Sequence, residues 1–349
     1  MTTPPARPRL LVLDDHEGRI AAAPAMTRLR ELADVTVLDR GPTDDDLPAL
    51  AGARVLMAVR ERTKLDEAFF ERLPELELVL QTGGHAYHLD EAAATRRGIV
   101  VALGRRATVA SSAVPELTFG LMIAVLRRIH PLAAELAGGA WPATVGGTLA
   151  WRTLGILGLG RHGRPVARIG AAFGMEVVAW DRRGRASRAS GEGAGSDEGA
   201  ELLALEDLLL RADVVSVHLR LSPESTGLLS RQRLALMRPG AVLVNTARGA
   251  IVDEDALVDA LRDGRLAGAG LDVFATEPLP PDSPLRALDN VVLTPHIGWK
   301  VDELFAEFTL IAAEQLEAWL AGRLPPGEVV APAAVQVERE RLGGLSPPG

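Results

Sequence analysis

Cysteine is absent from the 349-residue chain, which removes disulfides, thiolate metal sites, iron–sulfur clusters and a cysteine nucleophile together. Any redox chemistry then needs a cofactor. Lysine is nearly absent too: of 38 basic residues only Lys64 and Lys300 are lysine, so arginine carries the positive charge. Aromatics are 4% of the residues, and the formal net charge of -8 gives no overall attraction for phosphate backbones or anionic lipid. Neither nucleic acid nor a membrane is an expected partner. Apolar runs such as Leu121 to Leu126 fall far short of the roughly 18 residues that span a bilayer. The N-terminal MTTPPARPRLLVLDD lacks the apolar stretch and small-residue cleavage site of a signal peptide, so a cytoplasmic protein is expected.

The composition that remains, 47% hydrophobic and 24% charged, is that of an ordinary globular chain, and its length suits two domains of roughly 100 to 200 residues. Short Val, Leu and Ile runs alternate with helical stretches: RLLVLDD, ADVTVLD, ARVLMAV, LELVLQT and GIVVAL. This βαβ pattern predicts mostly parallel sheets. A helix from Ser112 onward, with Pro115 in its first turn, marks the passage to a second α/β series. That series reads TLGILGLG, EVVAWD, ADVVSVHL, GAVLVNTA, AGAGLDVF and NVVLTPH, six strands for one doubly wound sheet. Val301 to Leu320 reads as one helix, Arg182 to Gly199 as a surface loop, and residues 325–349 as a Pro/Gly-rich tail that is poorly ordered or acts as an arm.

The string GLGRHG places Gly158, Gly160 and Gly163 directly after the apolar strand TLGIL and opens a helix. In such a loop the first glycine permits a tight turn, the second lets backbone approach a pyrophosphate, and the third lets helix pack on strand. The helix N-terminus adds N–H donors and partial positive charge. The next strand ends at Asp181, where a carboxylate can accept from both ribose hydroxyls. Strand, glycines, helix and acid in this order predict dinucleotide binding. Asp181 favours NAD by repelling a 2′-phosphate, whereas Arg182 and Arg183 would hold one, which leaves NADP as the lesser alternative.

Ligands of open α/β sheets bind beyond the carboxyl ends of the strands. Three of those ends deliver Arg248, Glu277 and His296. A histidine can exchange a hydroxyl proton as hydride leaves or arrives, a glutamate can orient its second nitrogen and favour the protonated ring, and an arginine fork matches a carboxylate with its adjacent carbonyl. A 2-hydroxy or 2-keto carboxylate satisfies all three.

With these strings in hand, TLGILGLGRHG, VNTARGAIVDEDAL, GLDVFATEPLP and NVVLTPHIG, the chain resembles the D-2-hydroxyacid dehydrogenase family, with weaker similarity from about residue 50 to 322. The resemblance implies a catalytic triad of Arg248, Glu277 and His296, and Asp272 near the nicotinamide carboxamide. It also implies two doubly wound Rossmann-like or flavodoxin-like domains with a cleft between them. Residues 1–109 and 297–324 would be the substrate domain and 110–296 the NAD-binding domain, in a homodimer. Further cofactor candidates in the same loops are Arg161, His162, His218, Thr246, Ala247 and Gly298. Substrate candidates are Arg60, which matches a position reaching substrate in some members, the loop residues Gly83, Gly84 and His85, and Trp299 as a wall of the cleft; no metal is implied. His85 stands where the family often has a second glycine, which narrows the pocket or adds a hydrogen bond. The resulting expectation is hydride transfer between NAD and a D-2-hydroxy acid, with a small carboxylate as substrate. A phosphite-type dehydrogenase and an NAD-sensing regulator without catalysis stay open as alternatives. A formate dehydrogenase is disfavoured, since that group generally has Gln where this chain has Glu277.

Overall fold

The computed structural model describes residues 7–181 and 199–330. They divide between two compact units, one drawn from residues up to 109 and from 302 onward, the other from 110 to 301.

In the first unit, strands β1 (Arg9–Leu13), β2 (Asp34–Val37), β3 (Val55–Ala58), β4 (Leu78–Gln81) and β5 (Val100–Leu103) pair in parallel in the order β2-β1-β3-β4-β5. Every residue of β3, β4 and β5 is buried, which is why these strands read as continuous apolar runs instead of alternating ones. The order is flavodoxin-like and reverses between β1 and β3.

In the second unit, β6 (Thr153–Leu157), β7 (Glu176–Trp180), β8 (Glu201–Leu202), β9 (Val214–Val217), β10 (Ala241–Asn245), β11 (Leu266–Leu271) and β12 (Val291–Leu293) form a wholly parallel sheet. Its order, β8-β7-β6-β9-β10-β11-β12, is the Rossmann arrangement, reversing between β6 and β9. The period of two along β10 feeds both faces: Leu243 joins a core with Leu208, Val215 and Leu257, while Val242 and Val244 join Phe119, Ile156 and Val177 on the other side. Two doubly wound α/β units are thus present.

Three local expectations need correction. The second sheet has seven strands instead of six, because β8 contains only two residues and leaves no periodicity to read. The helix at the start of this unit runs Ala110–Leu126, which puts Pro115 in its second turn; burial of the ring offsets the missing N–H. The start of the tail is built into the first unit: β13 (Val329–Val330) pairs antiparallel with β5, and Glu328 accepts from Gln315 Nε2 at 2.7 Å and pairs with Arg106 at 2.6 Å. Tail residues 331–349 and loop residues 182–198 lie outside the described residues.

Among the described residues no single helix is long and apolar enough to cross a membrane. The helices Ala110–Leu126 and Ile129–Ala137 are apolar enough only as a pair, bent by 62°, and Phe119, Leu121, Met122 and Val125 of the first lie in the core.

Candidate active site

The sheet reversal between β6 and β9 is where the glycine loop emerges. Gly158 adopts a φ of 100°, open to glycine at no steric cost, and its N–H donates to Trp180 O at 2.8 Å, tying the loop to the end of β7 and so to Asp181. A side chain on Gly163 would place its Cβ 1.9 Å from Gly158 O, whereas a Cβ on Gly160 would meet nothing within 4 Å. The outer glycines therefore close the turn, and the middle one leaves backbone accessible. The helix Gly163–Ala172 starts here with His162 at its N-cap and no side-chain hydrogen bond from that cap. Its N-terminal dipole is aimed at the open loop, a setting for an anion such as a pyrophosphate. Arg161 Nε donates to Ser111 Oγ at 2.8 Å, which holds the rim of this loop.

His218, just beyond β9, backs the same loop: a Cβ on Gly158 would lie 2.9 Å from its carbonyl oxygen. Its Nε2 is 2.7 Å from Ser216 Oγ. The residue keeps some exposed surface, but its ring is crowded by protein, and this desolvation, reinforced by the neighbouring His162, pushes it down to about 3. His218 is therefore neutral near pH 7 and adds no charge to the site. Arg182 and Arg183 lie outside the described residues, so Asp181 alone represents the cofactor-choice positions. Glycine geometry, an uncapped helix start and a terminal carboxylate fit a dinucleotide.

The neighbouring strands β10, β11 and β12 end beside one another and lead into Arg248, Glu277 and His296. After β10, the buried Asn245 donates from Nδ2 to Arg248 O at 2.9 Å and accepts from Ala247 N–H at 3.0 Å, fixing the turn that presents Arg248. Thr246 Oγ1 is 3.0 Å from Thr118 Oγ1, and Arg248 Nη1 donates to Ala247 O at 2.7 Å. After β11, Glu277 accepts from Phe274 N–H at 3.0 Å on Oε1 and from His296 Nδ1 at 2.7 Å on Oε2. Burial raises the Glu277 carboxyl, but the hydrogen bond and charge of His296, Phe274 N–H and the nearby Arg248 outweigh it and hold the group below the ordinary carboxylate range. With Nδ1 engaged, Nε2 is the His296 nitrogen left to exchange a proton.

His296 has a φ of 52°, a left-handed conformation that a non-glycine residue holds only when its surroundings impose it. Asp272 imposes it. This carboxylate, 1% exposed, accepts from Thr294 Oγ1 at 2.5 Å and from the N–H groups of Ile297 and Gly298 at 2.8 Å each, gripping the chain on both sides of the histidine. Burial pushes the Asp272 carboxyl up, against the pull of these donors and of His296.

In the first unit, the ends of β3 and β4 bring Arg60 and Gly83 together. Arg60 is left-handed as well, with a φ of 60°; its N–H donates to Thr82 Oγ1 at 2.7 Å and its carbonyl accepts from Gln81 Nε2 at 3.1 Å. A Cβ on Gly83 would fall 2.3 Å from Arg60 Nη1, so the guanidinium crosses that glycine, while Gly84 has open space around it. His85 stacks on Tyr87, ring centroids 5.2 Å apart. Trp299, in the second unit, is only 8% exposed and packs under the Lys300 ammonium.

Asn245, Thr294, Gln81 and Thr82 were not anticipated. A signal existed for two of them: Asn245 and Gln81 are polar residues closing otherwise apolar strands, which is affordable only if the side chain is hydrogen-bonded. Among the described residues no group of three or more His, Asp or Glu side chains is placed to hold a metal ion.

Comparison with known proteins identifies the family. Residues 119–298 match the family model for the NAD-binding domain of D-isomer specific 2-hydroxyacid dehydrogenases. D-3-phosphoglycerate dehydrogenase from Mycobacterium tuberculosis is 40% identical over 291 residues, covering 83% of this chain and 53% of the relative. The chain thus spans about half the length of that relative. Glyoxylate reductase from Aeropyrum pernix is 37% identical over 334 residues, covering 93% of this chain and 96% of that protein. Among solved structures, the TT0316 protein from Thermus thermophilus superposes with a TM-score of 0.79 at 38% identity, over 93% of this chain and all of that one. The chain belongs to the D-isomer specific 2-hydroxyacid dehydrogenase family, and its second unit carries that family's NAD-binding domain.

Proposed function

We propose that the protein is an NAD-dependent oxidoreductase that interconverts a D-2-hydroxy acid and the corresponding 2-keto acid. The observation that carries this reading is the 2.7 Å hydrogen bond between His296 Nδ1 and Glu277 Oε2, with Arg248 close enough to lower the Glu277 carboxyl. NAD supplies the hydride acceptor, and its reduced form the hydride. In the reductive direction protonated His296 gives its Nε2 proton to the keto oxygen as hydride reaches the carbon; in the oxidative direction neutral Nε2 takes the hydroxyl proton. Glu277 keeps the ring oriented and stabilises its charged form. Arg248 pairs its guanidinium with the substrate carboxylate, and Asp181 accepts from the adenosine ribose in a manner that disfavours a 2′-phosphate. Within the first unit, the Arg60 guanidinium crossing Gly83, with open space at Gly84, supports reading that unit as the substrate domain.

The curated relatives include a phosphoglycerate dehydrogenase and a glyoxylate reductase, so a small 2-keto carboxylate is the substrate class proposed here. The same reading includes a homodimer, supported by the exposed apolar side chains of the segment after Arg128, and a cytoplasmic place of action with free access to NADH. The test is His296→Ala: NADH binding by fluorescence titration should persist while keto-acid reduction falls by roughly 10²–10⁴-fold. Near-normal turnover would remove His296 from the acid–base role.

A further inference from the structure

The turn that carries Arg248 and the loop that carries Glu277 come from different strands, and two contacts interlock them. The first is steric. Gly249 lies so close to the Phe274–Ala275 peptide that a Cβ there would sit 1.9 Å from Phe274 C and 2.5 Å from Ala275 N. The second is a hydrogen bond. Glu254, in the first turn of the helix Glu254–Arg262, accepts from Ala275 N–H through Oε2 at 2.9 Å. That helix directly follows the Arg248–Ile251 turn, and its N-cap is the separate residue Asp253, which accepts from Ala256 N–H at 3.0 Å. Glu254 is thus not needed as the cap.

The neighbouring amides of Phe274 and Ala275 are therefore held by two different carboxylates: Phe274 N–H by Glu277 Oε1 at 3.0 Å, and Ala275 N–H by Glu254. The other oxygen of Glu277 takes His296 Nδ1. A continuous path then leads from the helix behind Arg248, through Glu254, into the loop whose position decides where Glu277 meets the imidazole. We propose that Glu254 is a positioning residue for the reaction, clamping the Phe274–Glu277 loop onto the Arg248–Gly249 turn so that the Glu277–His296 hydrogen bond keeps its geometry. The assignment rests on the dehydrogenase reading above.

Glu254→Ala and Glu254→Gln separate this role from its competitors, because glutamine keeps the acceptor oxygen and loses only the charge. Glu254→Ala should lower kcat by about tenfold, the scale of a slightly misplaced catalytic group. It should also narrow the alkaline side of the pH–rate profile, as His296 loses part of its hold on Glu277, while NADH affinity stays unchanged. Glu254→Gln should recover most of the rate and the wild-type profile. If Glu254 served only the helix dipole, both variants would melt earlier and neither would move the profile. That result, or a Glu254→Ala enzyme with wild-type kcat and pH profile, overturns the assignment while the dehydrogenase reading stands. A wild-type protein that binds NADH but reduces no 2-keto acid would overturn the reading itself, and this assignment with it.

Discussion

Asp272 presents only acceptor oxygens to three donors, Thr294 Oγ1 and the N–H groups of Ile297 and Gly298. An asparagine there has to turn an NH2 group toward at least one N–H, leaving buried donors facing each other. Asp272→Asn should cost about 1–3 kcal/mol in urea denaturation and reduce turnover by releasing the left-handed turn at His296. An unchanged unfolding midpoint would mean that the turn does not depend on this carboxylate. At this scale the sequence was informative about chemistry and silent about restraint. Arg248, Glu277 and His296 stand out because charged residues just past apolar strands invite a functional reading. Nothing in the string NVVLTPHIG says that His296 has positive φ, since that conformation is set by a carboxylate contributed from another strand.

Among the elements, the glycine loop is tightly specified. Gly163 faces Gly158 O at a separation that admits no methyl group. Gly163→Ala must push the helix Gly163–Ala172 away from β6, and the N–H groups aimed at the open loop move with it. NADH binding, measured by fluorescence titration, should weaken at least tenfold, equivalent to about 1.4 kcal/mol. Unaltered affinity would show that the loop tolerates the shift. The main strands were legible because burial on both faces makes parallel strands continuous apolar runs. The two-residue strands β8 and β13 were not, since pairing with a neighbouring edge creates them and no internal pattern does. Pro115 misled for a related reason: its local preference for a first turn yields to burial of its ring within a longer helix.

At the scale of the whole molecule, the segment following Arg128 gathers several exposed apolar side chains. The helix Ile129–Ala137 buries none of its residues, and Ile129, Leu136, Trp141 and Val145 are 50%, 54%, 89% and 93% exposed. Apolar groups concentrated in one exposed segment are the mark of an association surface. If the second copy proposed above covers them, replacing Leu136 and Trp141 together by aspartate should convert a dimer to a monomer in sedimentation experiments with little loss of melting temperature in the monomeric units. A double variant that remains dimeric would place the interface elsewhere. The amino-acid sequence by itself determined the two α/β units, the glycine loop with its acidic partner, and the residue types at three strand ends. These follow from patterns local to a strand, a turn or a helix start. Only the tertiary structure decided how those residues are held: Asn245 behind Arg248, Asp272 around His296, Glu254 on the loop of Glu277, Gln81 and Thr82 on Arg60. Apart from the local turn at Asn245, each of these contacts joins segments more than twenty residues apart, and a hydrogen bond between the ends of neighbouring strands depends on sheet order and register, which exist only once the chain has folded.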